Sequence, residues 1–204
     1  MPSSELERLR EVMARLRVEC PWDAKQTHAS LLPHLIEEAG EVVDAVETGT
    51  SEDLEEELGD LLLQVYFHAR IAEDEGRFDV EDVARGIADK LIRRHPYVFG
   101  DADVPADLRA TWERRKREEK GRSSSLDGIA EALSVVARAQ KVVSRSRSHG
   151  VAVDLPSEPI GAEEVGRGIV ELVARAQANG IDADAAARDA VRALESRIRD
   201  AEAS

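Results

Sequence analysis

The amino-acid sequence predicts an all-α protein built as a helical bundle. Apolar residues recur at three- and four-residue spacing in most segments, whereas the apolar–polar alternation that is typical of strands is rare. Aromatic residues make up only 3% of the 204 residues, and 34% of the residues are charged. Short polar or glycine-containing stretches separate the apolar-periodic segments. Helix and short loop therefore alternate along the chain, which is the pattern of a bundle.

Five helices are predicted in the first 120 residues. The stretch CPWDAKQTH at 20–28 is a loop after the first helix, because Pro21 and its polar neighbours interrupt the periodicity. Pro33 is acceptable in the first turn of the second helix, and Thr50 or Ser51 is the expected N-cap of the third. Pro96 closes the fourth. The predicted bounds are 4–18, 30–47, 52–75, 79–95 and 106–120.

A linker is predicted at GRSSSLDG, residues 121–128, because the stretch is small, polar and flanked by glycines. It would separate a first domain, 1–120, from a second helical module, 129–204. That module contains three further predicted helices, at 129–146, 162–178 and 183–203.

The composition excludes several classes of function. The net charge of −14 and the pI near 4.9 argue against binding to duplex nucleic acid, which requires clustered positive charge. Cys20 is the only cysteine, so neither an internal disulfide nor a thiolate zinc site can form. The first residues lack the apolar core of a signal peptide, and no run reaches transmembrane length. We therefore expect a cytoplasmic protein without a membrane partner.

Acidic residues flank the apolar stripes of two consecutive helices. Glu38 and Glu41 lie on one flank in LIEEAGEVVDAV, and Glu57 and Asp60 lie on one flank in EEELGDLLLQVYFHA. The helix predicted at 52–75 is apolar almost all round after Leu61, so it should be largely buried. The stripes expected to form the core are Leu32, Leu35, Ile36, Ala39, Val42, Val43 and Val46, then Leu54, Leu58, Leu61, Leu62, Val65 and Ala69.

A short turn between antiparallel helices would bring the two acidic pairs together. Four converging carboxylates repel each other by several kcal/mol at low effective dielectric, so protons or cations must neutralise them. Oxygen ligands without a thiolate favour Mg²⁺ or Mn²⁺. The other interpretation is a solvated acidic face, which is the usual role of an isolated E-x-x-E run. A di-iron site is disfavoured, because no histidine here follows an acidic residue by three positions.

Three segments together resemble the MazG family of all-α nucleoside triphosphate pyrophosphohydrolases. They are CPWDAKQTHASLLPHLIEEAGEVVDAV, EEELGDLLLQVYFHARIAEDEGRFD and DKLIRRHPYVFGD, and the similarity runs from Cys20 to about Glu119. The resemblance implies that Glu38, Glu41, Glu57 and Asp60 bind Mg²⁺, with Mn²⁺ as a possible substitute. It also implies cleavage of NTPs and dNTPs between the α- and β-phosphates, giving a nucleoside monophosphate and pyrophosphate.

Further site residues are predicted around these ligands. Glu37 and Glu38 are the catalytic candidates: Glu37 could orient or deprotonate the attacking water, and the alternative is that it simply faces solvent. By resemblance, Lys90 and Arg94 contact phosphates, whereas Arg93 forms surface ion pairs. Lys25 is a further phosphate candidate, and Trp22 and Trp112 could stack on a base, although tryptophan is more often a packing residue. His28, His34 and His68 are interpreted as polar packing near the site.

The second module looks like a degenerate copy of the first. EEVGRGIVELVARAQAN at 163–179 aligns with 56–72, but the acidic pair becomes Glu164 and Arg167, and Ala193 falls near the position of Lys90. We therefore interpret 129–204 as a structural or oligomerisation module without its own catalysis.

The sequence thus predicts a Mg²⁺-dependent enzyme that removes canonical or damaged nucleotides from the cellular pool. A broad apolar helix surface also favours a homodimer or a higher homo-oligomer. Two alternatives remain open at this point. One is a non-catalytic helical module that binds nucleotide or a protein partner, and the other is an all-α phosphohydrolase restricted to dUTP or dCTP.

Overall fold

The computed structural model describes residues 4–121 and 123–203, and the all-α prediction is confirmed. Within those ranges the structure contains nine α-helices, one short 3₁₀ helix at Asp23–Lys25 and no strand. None of the described helices is long and apolar enough to cross a membrane. The α-helices are α1 (Glu5–Glu19), α2 (Leu32–Thr48), α3 (Ser51–Asp74), α4 (Val80–Arg94), α5 (Pro96–Phe99), α6 (Leu108–Lys120), α7 (Val135–Ser148), α8 (Ala162–Ala178) and α9 (Ala183–Glu202).

The helices begin where the sequence provides capping groups. Thr50 caps α3 through a capping box: its side chain accepts a hydrogen bond from the Asp53 N–H, and the Asp53 carboxylate accepts one from the Thr50 N–H. Asp79 and Asp82 form the equivalent box at the start of α4. Pro33 lies in the first turn of α2, as expected. Local sequence therefore determines these boundaries to within one or two residues.

The turn between α2 and α3 is very tight. The Gly49 N–H donates to the Ala45 carbonyl at 3.0 Å and closes α2, and α3 starts two residues later. A Cβ at position 49 would lie 2.8 Å from both the Cα and the carbonyl oxygen of Ala45, so only glycine fits this close approach. The two helices therefore leave the turn as antiparallel neighbours, as predicted.

The core of the first compact unit, residues 1–102, lies around the second half of α3. Tyr66, Phe67 and Ile71 of α3 pack with Met13 of α1 and with Leu31, which precedes α2. The Tyr66 hydroxyl also donates to the carbonyl of Leu6, at 3.3 Å. The prediction that α3 is largely buried after Leu61 is confirmed by its buried residues, which are Gln64, Tyr66, Phe67, Ala69, Ile71 and Ala72.

The apolar stripes predicted to form the core of the α2–α3 pair are for the most part exposed in this chain. Ile36 and Val46 of α2 are 69% and 66% exposed, and Leu58 of α3 is 49% exposed. The side chains that stay exposed are Leu32, Ile36, Ala39, Val43 and Val46, then Leu58, Leu62 and Val65. The prediction was wrong for these residues, because each helix is apolar on two neighbouring faces and packs on its partner through only one of them.

The face through which α2 and α3 contact each other, which we call the seam, is partly polar. In α2 the less exposed positions include Leu35, Glu38, Val42 and Ala45, spaced by three or four residues. In α3 they include Leu54, Glu57, Leu61, Gln64 and His68, with the same spacing. Two glutamates therefore lie between the helices instead of on the border of a separate core.

The second compact unit, residues 103–204, contains α6 to α9 and has its own core around Val142, Val191 and Ile198. The predicted linker at 121–128 lies inside this unit. Its described residues form a structured turn, in which the Asp127 carboxylate accepts from the Ser123 and Ser124 N–H groups, at 2.9 and 3.0 Å. Ser125 is fully buried, and its N–H donates to Glu202 at 2.6 Å. This hydrogen bonding, which composition does not reveal, orders the segment.

The helices of the second unit follow the sequence prediction closely in two of three cases. α8 and α9 have the predicted positions, whereas α7 begins at Val135 and not near 129. Ser134 caps α7 by accepting from the Ala137 N–H, at 3.4 Å. The helix therefore starts at this capping residue and not earlier in the apolar stretch.

Candidate functional site

Three carboxylates meet across the seam of the α2–α3 hairpin. Glu38 and Glu41 come from α2, one turn apart, and Glu57 comes from the second turn of α3. One ligand atom from each of the three lies within 4.8 Å of the other two. Glu38 and Glu57 are half-buried, and Glu41 is exposed. We call these three residues the carboxylate cluster.

The carboxylate cluster is electrostatically strained. Partial burial raises the pKa of Glu38, and a hydrogen bond with Glu41 and the charges of Asp60, Glu41 and Glu37 raise it further. Partial burial also raises the pKa of Glu57, with Glu41 the largest of the neighbouring charges. Among the described residues, no lysine or arginine forms an ion pair with a member of the cluster. The repulsion is therefore left for a proton or a bound cation to neutralise.

Asp60, the fourth predicted ligand, lies one turn after Glu57 on α3 and is exposed. It does not belong to the three-residue cluster among the described residues. Its charge nevertheless raises the pKa of both Glu38 and Glu57, so it is close enough to act on each of them.

The donor set of the carboxylate cluster fits a hard divalent cation. All of its donor atoms are carboxylate oxygens from two rigid helices, and neither sulfur nor nitrogen lies among them. Mg²⁺ and Mn²⁺ prefer such oxygens, and Mg²⁺ usually binds through a few carboxylates and keeps other positions for water or phosphate.

A shallow cleft of about 240 Å³ adjoins the cluster at the hairpin turn. Glu41 and Glu57 line it, together with Asp44 and Asp53. Asp53 is already engaged in the capping box, since the Thr50 N–H bonds its carboxylate and lowers its pKa. Asp53 therefore stabilises the start of α3 and does not belong to the carboxylate cluster.

Glu37 faces away from the seam. Its carboxylate lies 3.8 Å from Nδ1 of His34, and its side chain is 63% exposed. His34 in turn contacts the Trp22 ring edge-on, with 6.0 Å between ring centroids. Glu37 is thus next to the cluster in sequence but on another face of α2.

The predicted phosphate-binding residues of α4 lie one turn apart near its C-terminal end. Lys90 is half-buried and Arg94 is only 5% exposed, whereas Arg93 between them is exposed. α4 packs against α3, the helix that carries Glu57. Lys90 and Arg94, the two predicted phosphate-binding residues of α4, therefore lie on the same face of the helix.

The loop at 20–31 carries the other two predicted contacts in the first unit. Lys25 ends the 3₁₀ helix and is exposed. Trp22 is 53% exposed and contacts both His34 of α2 and Phe67 of α3, the latter with 6.3 Å between ring centroids. Trp112, the remaining base-stacking candidate, is a half-buried residue of α6 in the second compact unit.

Sequence reasoning missed the side chains that hold this loop in place. Arg17 of α1 donates to the carbonyls of Asp23 and Gln26, the latter at 3.1 Å, and forms an ion pair with Asp74 at 3.2 Å. His28 of the loop is hydrogen-bonded to His68 of α3 at 2.7 Å. The helical wheel places His68 on the same flank of α3 as Glu57 and Gln64, which indicates that His68 lies near the site. Nothing in the sequence indicates that His68 contacts His28.

The sequence is similar to known proteins over most of its length. Residues 26–99 match the family described as the MazG nucleotide pyrophosphohydrolase domain. The chain is 43% identical, over 99% of its length, to an uncharacterised 26.1 kDa protein of Streptomyces cacaoi, of which it covers 84%.

Several of its relatives are named for an activity. The chain is 44% identical, over 72% of its length, to the nucleoside triphosphate pyrophosphohydrolase of Escherichia coli. It is 45% identical, over 68% of its length, to the nucleoside triphosphate pyrophosphohydrolase/pyrophosphatase MazG of Thermotoga maritima. It spans 59% and 56% of the lengths of these two proteins.

Among solved structures, a MazG-related protein from Thermotoga maritima is 31% identical to the chain, with a TM-score of 0.47. The alignment covers 54% of this chain and 98% of that one.

Proposed function

This chain belongs to the MazG family of nucleotide pyrophosphohydrolases, and from that membership we propose that it hydrolyses nucleoside triphosphates in a reaction that depends on Mg²⁺. The products are a nucleoside monophosphate and pyrophosphate. The cellular role is removal of canonical or damaged nucleotides from the pool, in the cytoplasm. The observation that carries the proposal is the carboxylate cluster, which concentrates three acids within 4.8 Å without a pairing cation among the described residues.

Glu38, Glu41 and Glu57 would hold the metal ion, and Asp60 would complete the ligand set from the next turn of α3. When bound, Mg²⁺ neutralises phosphate oxygens and so favours attack at the α-phosphorus. Without it, Glu38 and Glu57 retain their protons to a higher pH than ordinary glutamates, because the pKa of each is raised.

The remaining site residues act on the substrate and on water. Lys90, Arg94 and Lys25 bind the anionic phosphate oxygens, and Trp22 or Trp112 stacks on the base. Glu37 orients the attacking water and accepts its proton, a role for which it must rotate away from His34. The water oxygen bonds to the α-phosphorus, the bond from that phosphorus to the bridging oxygen breaks, and pyrophosphate leaves with its electron pair.

The test is a product assay. The protein is incubated with each NTP and dNTP, with Mg²⁺ or with EDTA, and monophosphate, pyrophosphate and orthophosphate are separated by ion-exchange chromatography. We expect equal amounts of monophosphate and pyrophosphate with Mg²⁺ and none with EDTA. Orthophosphate with diphosphate would contradict cleavage at the α-phosphorus. Binding without turnover would favour a non-catalytic module, and turnover of dUTP or dCTP alone would favour the restricted enzyme.

The exposed apolar stripes of α2 and α3 support a homodimer. A two-helix hairpin with an outer apolar stripe is half of a four-helix bundle, and a second copy of the same hairpin would cover that stripe. Ile36, at the most exposed apolar position of α2, is the residue to change.

The homodimer is tested by light scattering after size exclusion. We expect wild type to have twice the 22.4 kDa mass of one chain and Ile36→Glu to have the mass of one chain. Glu47→Gln, on the same helix, is the matched control and should keep the mass of wild type. A wild-type protein of 22.4 kDa would contradict the homodimer.

A further inference from the structure

Two histidines join the loop at 20–31 to α3. Nδ1 of His28 lies 2.7 Å from Nδ1 of His68, and the two rings are nearly parallel, with 7° between their planes and 5.0 Å between their centroids. The residues are 40 positions apart in sequence, so this is a tertiary contact. Both side chains are half-buried.

The neighbours of the pair determine where its protons lie. Nη2 of Arg77 is 2.5 Å from Nε2 of His28, and because arginine only donates, this nitrogen must accept. A neutral His28 therefore carries its proton on Nδ1 and donates it to Nδ1 of His68. His68 then carries its proton on Nε2, which is buried and has no hydrogen-bond partner among the described residues.

This hydrogen-bonded arrangement requires both histidines to be neutral. A proton added to His28 would go to Nε2 and face the Arg77 guanidinium. A proton added to His68 would go to Nδ1 and face the N–H of His28. In either case an accepting nitrogen becomes a donor opposite another donor, and the contact breaks.

The contact holds the segment that carries Trp22 and Lys25. That segment packs against the face of α2 that carries His34 and Glu37, because Trp22 touches His34 and His34 touches Glu37. Arg17 fixes the middle of the segment through two backbone carbonyls, and the histidine pair fixes its far end.

We propose that His28 and His68 are positioning residues that hold the Trp22–Lys25 segment against His34 of α2 and Phe67 of α3 only while both imidazoles are neutral, so that protonation releases the segment and weakens binding of the triphosphate. The consequence for substrate binding rests on the proposed function. The consequence for the segment itself does not, since it concerns the free protein.

The surroundings oppose a positive charge on His68. Burial lowers the pKa of His68, and the neighbouring His28 lowers it further. Arg77 is the nearest cation, and Glu75 pairs with it at 2.5 Å. The other charged or titratable groups on the elements packed here are Arg17, Asp23, Lys25, His34, Arg70, Glu73 and Asp74.

The direction of the pH dependence follows from the lowered pKa. His68 in the released segment has the ordinary histidine pKa of about 6.5 and binds protons more readily than in the docked segment. The segment is therefore fully docked above about pH 6.5. Docking is lost as the pH falls from there through the lowered pKa that His68 has in the docked segment. The expected window is the mildly acidic range.

Fluorescence of Trp22 tests the proposal without substrate or metal. The chain has two tryptophans, so Trp112→Phe leaves Trp22 as the only emitter. We expect its emission to shift to longer wavelength, with one transition below about pH 6.5, as the ring leaves Phe67 and His34. His28→Asn/His68→Asn in this background keeps a donor and an acceptor near the Nδ1 positions but cannot be protonated, and it should show no transition.

Two further variants separate the pair from its neighbours. His34→Gln removes the other histidine that contacts Trp22, and its transition should be retained. Arg77→Gln keeps a donor to His28, and its transition should also be retained. A transition that persists in the double asparagine variant, or that disappears in His34→Gln, would overturn the proposal, and the single variant His68→Asn, which should also lose the transition, decides the matter if the double variant fails to fold.

Steady-state kinetics then test the link to substrate. One pH unit below the fluorescence midpoint, the docked fraction is about one tenth, so the KM of wild type should rise about tenfold more than that of the double asparagine variant made with Trp112 retained. Equal pH profiles for the two would overturn the positioning role. A fluorescence transition in a protein that hydrolyses no triphosphate would refute the proposed function and leave the histidine contact as described.

Discussion

Glu38 in the first compact unit is half-buried and Glu195 in the second is buried, and the charges around the two carboxylates are opposite. Glu195 is 5% exposed, and its carboxylate accepts from Nε and Nη2 of Arg138 at 2.9 and 2.7 Å, with Arg199 at 3.8 Å. Glu38 instead faces Glu41 and Glu57. A glutamate with arginine partners in this setting is a structural element, whereas one surrounded by carboxylates requires a cation from outside the chain.

The same contrast exists between α3 and α8, the two helices whose sequences align. In α3 the acidic pair Glu57 and Asp60 adds charge to a repulsive cluster. In α8 the equivalent positions are Glu164 and Arg167, and Arg167 lies 3.9 Å from Glu171. The described part of the second unit has no carboxylate cluster of the kind in α2 and α3. That the second module has no catalytic site of its own stays a prediction.

The largest expected effect is the loss of activity in Glu57→Gln. The change removes one charge of the cluster and one metal ligand, so kcat/KM for NTP hydrolysis should fall on the order of 10²–10³-fold in the pyrophosphate assay. Glu47→Gln, an exposed residue in the last turn of α2, is the matched control and should stay within about twofold of wild type. Full activity of Glu57→Gln would remove it from the site.

Glu195→Gln should affect stability and not catalysis. It leaves the half-buried Arg138 opposite a neutral amide, which is expected to cost about 3 kcal/mol in the free energy of unfolding, measured by urea denaturation. Replacing Arg138 by Met in the same chain should recover part of that loss, because the uncompensated charge is then gone. An unchanged unfolding free energy would mean that the ion pair of Glu195 with Arg138 does not stabilise the fold, and the contrast with Glu38 would then be lost.

Mg²⁺ should stabilise the wild-type protein. At a concentration of 100 times Kd, a ligand that binds only the folded state adds about 2.7 kcal/mol, which corresponds to a rise in Tm of roughly 5–10 °C. The rise should be lost in Glu57→Gln. In EDTA, that variant should melt above wild type, because the substitution relieves the repulsion that raises the pKa of Glu38 and Glu57. If Glu57→Gln melted below wild type in EDTA, repulsion within the carboxylate cluster would not be destabilising the metal-free protein.

The smallest expected effect is that of Arg167→Asp. The substitution restores the acidic pair of α3 on α8, but no second acidic helix completes it in the described part of this unit. The unfolding free energy should therefore stay within about 0.5 kcal/mol of wild type, and the Mg²⁺-induced rise in Tm should be the same as in wild type. New Mg²⁺ binding, detected by calorimetry in a Glu57→Gln background, would show that the second module retains a latent site.

The sequence predicts the helices of this protein better than it predicts their contacts. Capping residues such as Thr50 and Asp79 act within a few positions, so helix starts can be read from the chain itself. The seam cannot be read in the same way, because Val43 and Val42 lie on neighbouring apolar faces of α2, and only tertiary packing buries one of them. The wheel therefore picked out the three carboxylates that meet across the seam, but it placed them at the edge of an apolar face and not between the helices.

The contacts of the loop at 20–31 were beyond sequence reasoning for a different reason. His28 and His68 are joined by a single hydrogen bond over 40 positions, and a pair of this kind has no periodicity. The orientation of Glu37 toward His34 likewise depends on side-chain packing. Helical spacing indicates which residues share a face, but it does not indicate which partner from another segment reaches that face.

The glycine turn at position 49 restricts how this family member can vary. Because a side chain there would meet the backbone of Ala45 at 2.8 Å, mutation at Gly49 would push the end of α2 away from the start of α3. Such a shift would separate Glu41 from Glu57, although neither residue had changed. Insertions in this loop should be tolerated far less well than in ordinary surface loops, and in a mutational library the turn should be as intolerant of substitution as the acids that it aligns.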